Sequence, residues 1–352
     1  MKRFCGKICA FLIALFGVFL TGCGNRAEKF TAVDTAMGTI VSQTVYGKED
    51  VTGQVKDLLA NLEAEELSWR MEGSEVAELN ETAGSGRECV LSETLNEDLN
   101  LLFEVSQKSE GAFDVTIAPV VRLWNIDAWA AGIGLQTKND SAEGAQAENE
   151  ATAVIPAPED IQAALLLTGY EKIEKTKNGL ILPKGMSLDL GAAGKGIACD
   201  KIAGYLADKK VSGAVISVGG SILTYGKKPD GTPWQVAVVD PFDTSAQLGI
   251  LSLDGQWYVS TSGDYERYIE VDGVRYHHII DPETGYPAQS GLRSVTIVCK
   301  SGILSDALST ACFVLGKEKG LALAARYGAE ALFVNEKGEI SMTPGMKELF
   351  RQ

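Results

Sequence analysis

Apolar residues recur every three or four positions in several segments of the chain, which is typical of helices with one buried face. The spacing of Val55, Leu58, Leu59 and Leu62 predicts a helix over residues 51–70. The same pattern predicts helices over 95–109, 197–209 and 317–327, and a further helix that Ser305 would cap and that would end near Gly316.

Short runs rich in β-branched and aromatic residues predict strands between these helices. They cover residues 39–46, 179–182, 214–218, 234–239, 257–260, 268–271, 294–298 and 331–335. An Asp-Gly turn at 272–273 separates two such runs and is typical of an antiparallel hairpin. The irregular order of helices and strands therefore predicts an α+β fold with largely antiparallel sheets flanked by helices, and not a doubly wound parallel sheet.

The N-terminal apolar run, residues 8–20, follows three basic residues and is 13 residues long. That length fits a signal peptide and is short of the roughly 20 residues that a spanning helix needs. The run ends in Leu-Thr-Gly-Cys at 20–23, the pattern of a bacterial lipobox. It predicts a signal peptide over 1–22, lipidation of Cys23, a short tether over 23–30, and anchoring at the outer, periplasmic or extracellular, face of the cell membrane. An ordinary secreted protein and an uncleaved anchor are the alternatives.

The remaining residues, 31–352, are enough for one large domain, in which residues 138–152 differ in composition and predict a flexible insertion. The whole chain has a formal charge of −15, and loss of three basic residues with the signal peptide leaves −18. Such acidity argues against nucleic acid as a partner, because phosphates attract basic surfaces. Cys89, Cys199, Cys299 and Cys312 remain and are expected to be free buried thiols.

Three motifs carry candidate chemistry. Asp-Leu-Gly-Ala-Ala-Gly-Lys-Gly at 189–196 predicts a Gly-rich turn at a helix start, where backbone N–H groups and Lys195 can face an anion; a plain tight turn is the alternative. Asp306 and Thr310 are one helical turn apart, and their hard oxygen atoms suit Mg²⁺ held together with phosphates; the alternative is an Asp306 that only favours the helix dipole and a Thr310 that faces solvent. His278, in a turn rich in Pro and Gly, is a candidate general base, and a hydrogen-bonded turn histidine is the alternative.

Taken together and in order, the motifs resemble the ApbE family of FAD:protein FMN transferases. The matching segments run from residue 37 to residue 311: Met-Gly-Thr at 37–39, Ser-Glu-Val-x-x-Leu-Asn at 74–80, Gly-Ala-Phe-Asp at 111–114, the segment 189–196, Gly-Gly-Ser-Ile at 219–222, Thr-Ser-Gly-Asp-Tyr-Glu-Arg at 261–267, His-x-Ile-Asp-Pro-x-Thr-Gly at 278–285 and Asp-Ala-Leu-Ser-Thr-Ala at 306–311. Ser221 stands where the family usually has Asp or Asn. The resemblance implies an α+β fold related to the T-fold.

The resemblance also implies a reaction and a set of site residues. Mg²⁺-dependent cleavage of FAD would transfer FMN to a Thr or Ser of another protein and release AMP, with His278 helping to remove the acceptor's proton. Mg²⁺ would be held by Asp306, Ser309, Thr310 and the carbonyl group of Ala192. The residues expected to line the FAD site are Met37, Trp69, Ala112, Phe113, Asp114, Asp189, Lys195 and Ile280.

The acceptor is expected to be a separate exported or membrane flavoprotein, since no flavin-carrier domain is left over in this chain. The family's acceptors include subunits of Na⁺-translocating NADH:quinone oxidoreductase, related ferredoxin-linked complexes and extracellular flavoproteins. Two alternatives remain open. The same site would serve an FAD pyrophosphatase that gives free FMN and AMP, and a flavin-binding lipoprotein without catalysis would need only the binding residues.

Overall fold

The computed structural model describes residues 27–126 and 155–352 of the chain. The signal peptide predicted over 1–22, the lipidation site Cys23 and the insertion predicted over 138–152 lie outside these ranges. Within them, no helix is both long enough and apolar enough to cross a bilayer.

Helices form where apolar residues recur with a helical period. In one of them, Leu95, Leu99 and Leu102 are fully buried, and the side chain of Ser92 accepts the N–H of Leu95 as an N-cap. The α-helices of the described ranges are α1 Thr52–Asn61, α2 Glu75–Glu81, α3 Glu93–Lys108, α4 Ala118–Trp124, α5 Pro158–Leu165, α6 Gly194–Asp208, α7 Gly302–Arg326 and α8 Met346–Leu349.

The strands of the same ranges alternate buried and open positions wherever one face meets the core. They are β1 Glu28–Ala36, β2 Thr39–Gly47, β3 Cys89–Val90, β4 Glu174–Lys175, β5 Gly179–Ile181, β6 Gly213–Val218, β7 Ser221–Gly226, β8 Trp234–Val239, β9 Gln247–Leu253, β10 Trp257–Gly263, β11 Tyr268–Val271, β12 Val274–His277, β13 Leu292–Cys299, β14 Glu330–Asn335, β15 Ile340–Met342 and β16 Phe350–Arg351. Strand β1 begins three residues before the predicted domain boundary at residue 31.

The central sheet has the strand order β1-β2-β6-β7-β10-β13-β14-β15, and neighbouring strands pair antiparallel throughout. Successive side chains of β13 point to opposite faces: Ile297 joins the larger core with α6 and α7, whereas Val298 joins a second core with β8 and β9. The second core lies under the small sheet β16-β9-β8. Helices, central sheet and small sheet thus form three layers, and the predicted α+β class with antiparallel sheets is confirmed.

The α-helix predicted over residues 51–70 is shorter in the structure than predicted. Helix α1 ends at Asn61, and Leu62–Leu67 continue as a π-helical segment. Leu62 and Leu67 are both buried and lie five residues apart, so the wider turn keeps both in the core. The chain leaves the helix at Ser68, which places the following Trp in a loop.

Ser305 does not cap the helix that follows residue 300, so that prediction is wrong. The cap is Ser301, whose side chain accepts the N–H of Leu304. The Asp200 carboxylate accepts the N–H groups of Gly302 and Ile303 at 2.9 Å each, which anchors the helix start one turn earlier. The two predicted helices over 305–316 and 317–327 are one element, α7, kinked at Gly316, where φ is +75°.

The four predicted free thiols are confirmed. Cys89, Cys199, Cys299 and Cys312 are all buried, and none is paired within the described part of the chain. Burial raises the pKa of the Cys312 thiol to about 12, so these thiols pack as small apolar side chains.

Candidate functional site

A cavity of about 650 Å³ opens where the start of α6 meets α7 and the loops after β1, α3 and β12. Its lining brings together segments that are far apart in the sequence. Twelve of the predicted site residues line it: Met37, Trp69, Ala112, Phe113, Asp114, Asp189, Ala192, Lys195, His278, Ile280, Asp306 and Thr310. Ser309 is the predicted site residue that does not reach the cavity.

Asp306 is fixed by contacts across the sequence. Its Oδ2 accepts the N–H of Gly196 at 2.9 Å, and its Oδ1 accepts the hydroxyl of Ser221 at 3.2 Å. Burial raises the pKa of the Asp306 carboxyl, and the neighbouring ammonium of Lys195 opposes that rise. A carboxylate therefore lies beside a lysine at the floor of the cavity, with its orientation set by the first turn of α6.

Ser309 lies behind this floor. It is fully buried, its Oγ donates to the carbonyl of Asp306 at 2.8 Å, and it lies 2.7 Å from Oγ of Ser262. Ser262 is in turn 3.2 Å from Oγ1 of Thr310, which does line the cavity. The Ser309 hydroxyl thus connects to the site through Ser262 and Thr310, and its role as a metal ligand stays a prediction.

The Gly-rich turn predicted over 189–196 leads directly into α6. Oδ1 of Asp189 accepts the N–H of Gly191 at 2.7 Å, and the N–H of Asp189 donates to the carbonyl of Val115. Helix α6 begins at Gly194, so Lys195 lies in its first turn and the positive end of the helix dipole faces the cavity. A Cβ on Gly196 would lie 2.2 Å from the carbonyl oxygen of Gly302, so glycine permits the close approach of α6 and α7.

Asp114 has a structural role at the cavity edge. Its Oδ1 accepts both the N–H and the hydroxyl of Thr116, and its Oδ2 accepts the N–H of Tyr170. Burial raises the pKa of the Asp114 carboxyl, while these hydrogen bonds lower it. Because both oxygens are engaged within the protein, the geometry assigns Asp114 to holding Phe113 and its loop against the cavity.

The opposite wall is held by a small apolar cluster around Trp124. Its indole N–H donates to the carbonyl of Gly285 at 2.7 Å, and its ring stacks on Tyr276 with centroids 5.5 Å apart. Val120, Ile269 and Ile280 complete the cluster, together with Ile126 and Ile161. These contacts join α4 to the hairpin β11–β12 and fix the segment that carries His278.

His278 has one ring nitrogen engaged with the backbone. Nδ1 lies 3.1 Å from the carbonyl oxygen of Arg267, so Nδ1 carries the proton and Nε2 has a lone pair. Burial lowers the pKa of His278 to about 3, with the charges of Arg267 and Lys195 adding to the effect. The imidazole is therefore neutral at physiological pH, in the form that can accept a proton.

Five charged residues of the lining were not predicted from the sequence: Glu63, Arg70, Arg122, Glu266 and Arg267. Oε2 of Glu63 accepts the N–H of Met37, which adopts a positive φ of 51°. Glu266 lines the cavity. Desolvation raises the pKa of its carboxyl, and the positive charges of Lys195 and Arg267 oppose that rise. Glu266 and Arg267 lie in the motif at 261–267, but the local sequence does not show whether a charged side chain there faces a cavity or solvent.

The donor set at the floor fits Mg²⁺ bound jointly with phosphates. It consists of hard oxygens: the Asp306 carboxylate, the Thr310 hydroxyl and the Ala192 carbonyl all line the cavity. In residues 27–126 and 155–352, no group of three or more His, Cys, Asp or Glu side chains could hold a metal by itself. Asp306 thus supplies one carboxylate ligand, and substrate oxygens would complete the coordination of a bound Mg²⁺.

Known proteins resemble this chain over nearly its whole length. A FAD:protein FMN transferase of Treponema pallidum is 32% identical and covers 100% of this chain and 97% of its own length. One of Klebsiella pneumoniae is 32% identical, with 91% and 92% covered. The crystal structure of apo flavinyl transferase ApbE of Pseudomonas stutzeri superposes with a TM-score of 0.75 at 32% identity, covering 92% of this chain and 98% of that one.

The structure of the ApbE protein of Thermotoga maritima has a TM-score of 0.78 at 28% identity, covering 92% of this chain and all of that one. The model of the ApbE family matches residues 37–333, a range that contains every cavity-lining segment described above. With its antiparallel α+β fold and its cavity between the Gly-rich turn and α7, this chain belongs to the ApbE family.

Proposed function

We propose that this protein is a FAD:protein FMN transferase, dependent on Mg²⁺, that links FMN to a Thr or Ser hydroxyl of another protein and releases AMP. The relatives that bear this name support the activity. The observation that carries it is the meeting, in one cavity, of the positive end of helix α6 with Lys195, the oxygen donors Asp306 and Thr310, and the neutral His278.

Phosphoryl transfer depends mainly on positioning and on neutralising charge. The acceptor hydroxyl oxygen forms a bond to the FMN phosphorus, the bond from that phosphorus to the AMP oxygen breaks, and the acceptor's proton goes to Nε2 of His278. The ammonium of Lys195 and the positive end of the α6 dipole attract the phosphate oxygens, while the N–H groups of Gly194 and Gly196 are bound within the protein. Mg²⁺, bound by Asp306, Thr310 and the Ala192 carbonyl, would supply Lewis-acid stabilisation of the charge on the pyrophosphate.

The charge of the cavity supports a need for a cation. Among the described residues, the lining carries five acidic side chains and four basic ones: Glu63, Asp114, Asp189, Glu266 and Asp306 against Arg70, Arg122, Lys195 and Arg267. A pyrophosphate brings further negative charge next to Asp306. Since like charges in an enclosed site repel strongly, a divalent cation between them favours binding.

The test is an incubation of the purified protein with FAD, Mg²⁺ and a Thr-containing acceptor domain. Mass spectrometry is expected to find the acceptor heavier by one FMN group, with an equal amount of AMP, and EDTA is expected to abolish both products. Free FMN with AMP and an unmodified acceptor would instead identify an FAD pyrophosphatase.

Asp306→Asn separates an enzyme from a passive flavin-binding protein. In a transferase the variant loses AMP release, because one oxygen ligand of the cation is gone. Gly204→Ala, in α6 with no atom within 4 Å of the new Cβ, serves as the folded control. If the wild-type protein binds FAD but releases no AMP, and Asp306→Asn binds it unchanged, the transferase proposal is wrong.

We also propose that Cys23 is lipidated and that the protein acts at the outer face of the cell membrane. The support is the lipobox at residues 20–23 after a short apolar run. The acceptor would then be a flavoprotein exposed on the same side, of the class found in Na⁺-translocating NADH:quinone oxidoreductase and related redox complexes. A tether would keep the enzyme near such membrane-bound acceptors.

A further inference from the structure

Two arginines lie close to the indole ring of Trp69 in the cavity wall. The guanidinium carbon of Arg70 lies 4.1 Å from the centre of the indole ring, and that of Arg122 lies 4.3 Å from it. Arg70 belongs to the same loop as Trp69, whereas Arg122 comes from α4, 53 residues further along the chain. All three residues line the cavity.

Two features of this arrangement are energetically unfavourable. The indole N–H of Trp69 is buried without a hydrogen-bond acceptor among the described residues. Arg70 and Arg122 are like charges: burial and then the charge of Arg70 lower the pKa of Arg122, while the attraction of Asp189 opposes this shift. Buried unsatisfied donors and neighbouring like charges both cost free energy, which a bound anion can recover.

Arg122 also lies at a boundary between two kinds of surface. Its guanidinium group lies over the Trp69 ring, and it also interacts electrostatically with Asp189, the first residue of the Gly-rich turn. FAD has the same order of chemistry, because an aromatic ring system at each end is joined through a sugar or ribityl chain to the central phosphates. A cation at this boundary is placed to bind a phosphate oxygen.

We propose that Arg122 is a substrate-binding residue that leaves the face of Trp69 when FAD enters and binds a pyrophosphate oxygen of FAD. Its departure frees one face of the indole for a flat ring of the substrate. Arg70 stays on the indole and supports the ring. The inference rests on the proposed function in one respect, namely that FAD is the ligand of this cavity.

The test compares FAD with riboflavin, which has the same isoalloxazine ring but no phosphate. Binding is titrated by flavin fluorescence in Mg²⁺ buffer without an acceptor. For Arg122→Ala, the Kd for FAD is expected to rise about tenfold, the size of a lost charge-assisted hydrogen bond, while the Kd for riboflavin does not rise. Arg122→Lys is expected to restore part of the FAD affinity, because its ammonium keeps the charge and loses the planar fork.

Two control variants sharpen the comparison. Arg70→Ala is expected to change the affinities for FAD and for riboflavin by the same factor, because Arg70 only supports the indole ring of Trp69. Arg275→Ala removes a similar stacked arginine, 4.0 Å from the Tyr268 ring and outside the cavity lining, and is expected to change neither affinity.

The inference about Arg122 is overturned if Arg122→Ala weakens FAD and riboflavin by equal factors, or leaves FAD binding unchanged. Failure of the transferase reaction would not affect it, because no acceptor is present in the titration. A wild-type protein that binds neither flavin overturns both the inference and the proposed function.

Discussion

At the scale of single residues, two adjacent histidines have opposite roles. Nε2 of His277 lies 3.0 Å from the carbonyl oxygen of Ala288 and donates to it, while Nδ1 accepts the N–H of Ile279. Both nitrogens of His277 are therefore used to hold the turn. His278 uses one nitrogen for the backbone and lines the cavity, so the proposed proton acceptor is His278 and not its neighbour.

His278→Ala is expected to lower kcat for FMN transfer by about 10²- to 10⁴-fold, the usual contribution of a general base, with little change in the Kd for FAD. The measurement is single-turnover transfer to an acceptor at pH 7.5, with FAD binding titrated separately. His277→Gln serves as the control and is expected to keep the transfer rate. A His278→Ala protein with an unchanged rate would show that the proton goes elsewhere.

His277 also predicts a pH dependence of stability. Burial lowers its pKa from 6.5 to about 4 in the folded protein, so between these values the unfolded chain binds more protons. The contribution of His277 to the free energy of unfolding is therefore complete above pH 6.5 and is lost as the pH falls toward 4. The free energy of unfolding of the wild type relative to His277→Gln is expected to fall by up to about 1.4 kcal/mol per pH unit in this window.

Urea unfolding at several pH values measures this difference directly. Comparing the two proteins at each pH cancels the raised pKa values of the buried carboxyls, such as Asp306, which act in the opposite direction. A difference that stays constant from pH 7 to pH 4 would contradict the assignment of His277 as a neutral, buried residue.

At the scale of elements, the site depends on the contact between α6 and α7. Gly196 and Gly302 meet backbone to backbone, and the N–H of Gly196 donates to Asp306. At the far side of the same contact, Asp200 of α6 accepts the first N–H groups of α7. The two helix starts are therefore oriented by each other, and with them Lys195, Asp306 and the cavity floor.

Gly196→Ala is expected to force these helices apart, because the new Cβ would lie 2.2 Å from the Gly302 carbonyl oxygen. Overpacking of this kind costs about 1–3 kcal/mol of stability, and we expect transfer to be lost as Asp306 shifts. Thermal unfolding and AMP release measure the two effects. Gly204→Ala, in the same helix, is expected to be neutral or stabilising by up to about 1 kcal/mol, and equal behaviour of the two variants would contradict the argument.

At the scale of the whole molecule, the central sheet and its helices bring distant segments to one cavity, while the proposed tether would decide where that cavity works. Strand β1 begins at Glu28, five residues after Cys23. A tether of that length would keep the domain close to the bilayer. The negative charge of the chain argues against attraction to anionic lipids, so attachment would come from the lipid itself.

Cys23→Ser is expected to abolish incorporation of labelled palmitate into the protein, because the sulfur that receives the lipid is gone. Cys89→Ser, which changes a buried thiol of the folded domain, is expected to keep the label. Intact-mass analysis of the wild type is expected to show a mature chain beginning at a modified Cys23. Label retained in the Cys23→Ser protein would disprove the proposed anchor.

Much of the fold could be predicted because its signals are local. Helical periods, β-branched runs and the Asp-Gly turn at 272–273 predicted eight of the strands and the α+β class. Elements of two to four residues, such as β3, β4 and α8, were missed because they carry no period, and the longer strands β1, β7 and β9 were missed as well. The Ser301 cap was missed because Ser301 and Ser305 look alike locally, and Asp200 decides between them from another helix.

The sequence by itself determined the family, because its motifs stand in a recognisable order, and it predicted residues that the structure brings to one cavity. The tertiary structure alone decided how these groups are oriented. Asp306 meets Gly196 across 110 residues, and Arg122 reaches Trp69 from another element. Such contacts leave no local pattern in the sequence, since they depend on how the elements pack. They determine the tautomer of His278, the burial of Ser309 behind Ser262, and the approach of two arginines to the Trp69 ring.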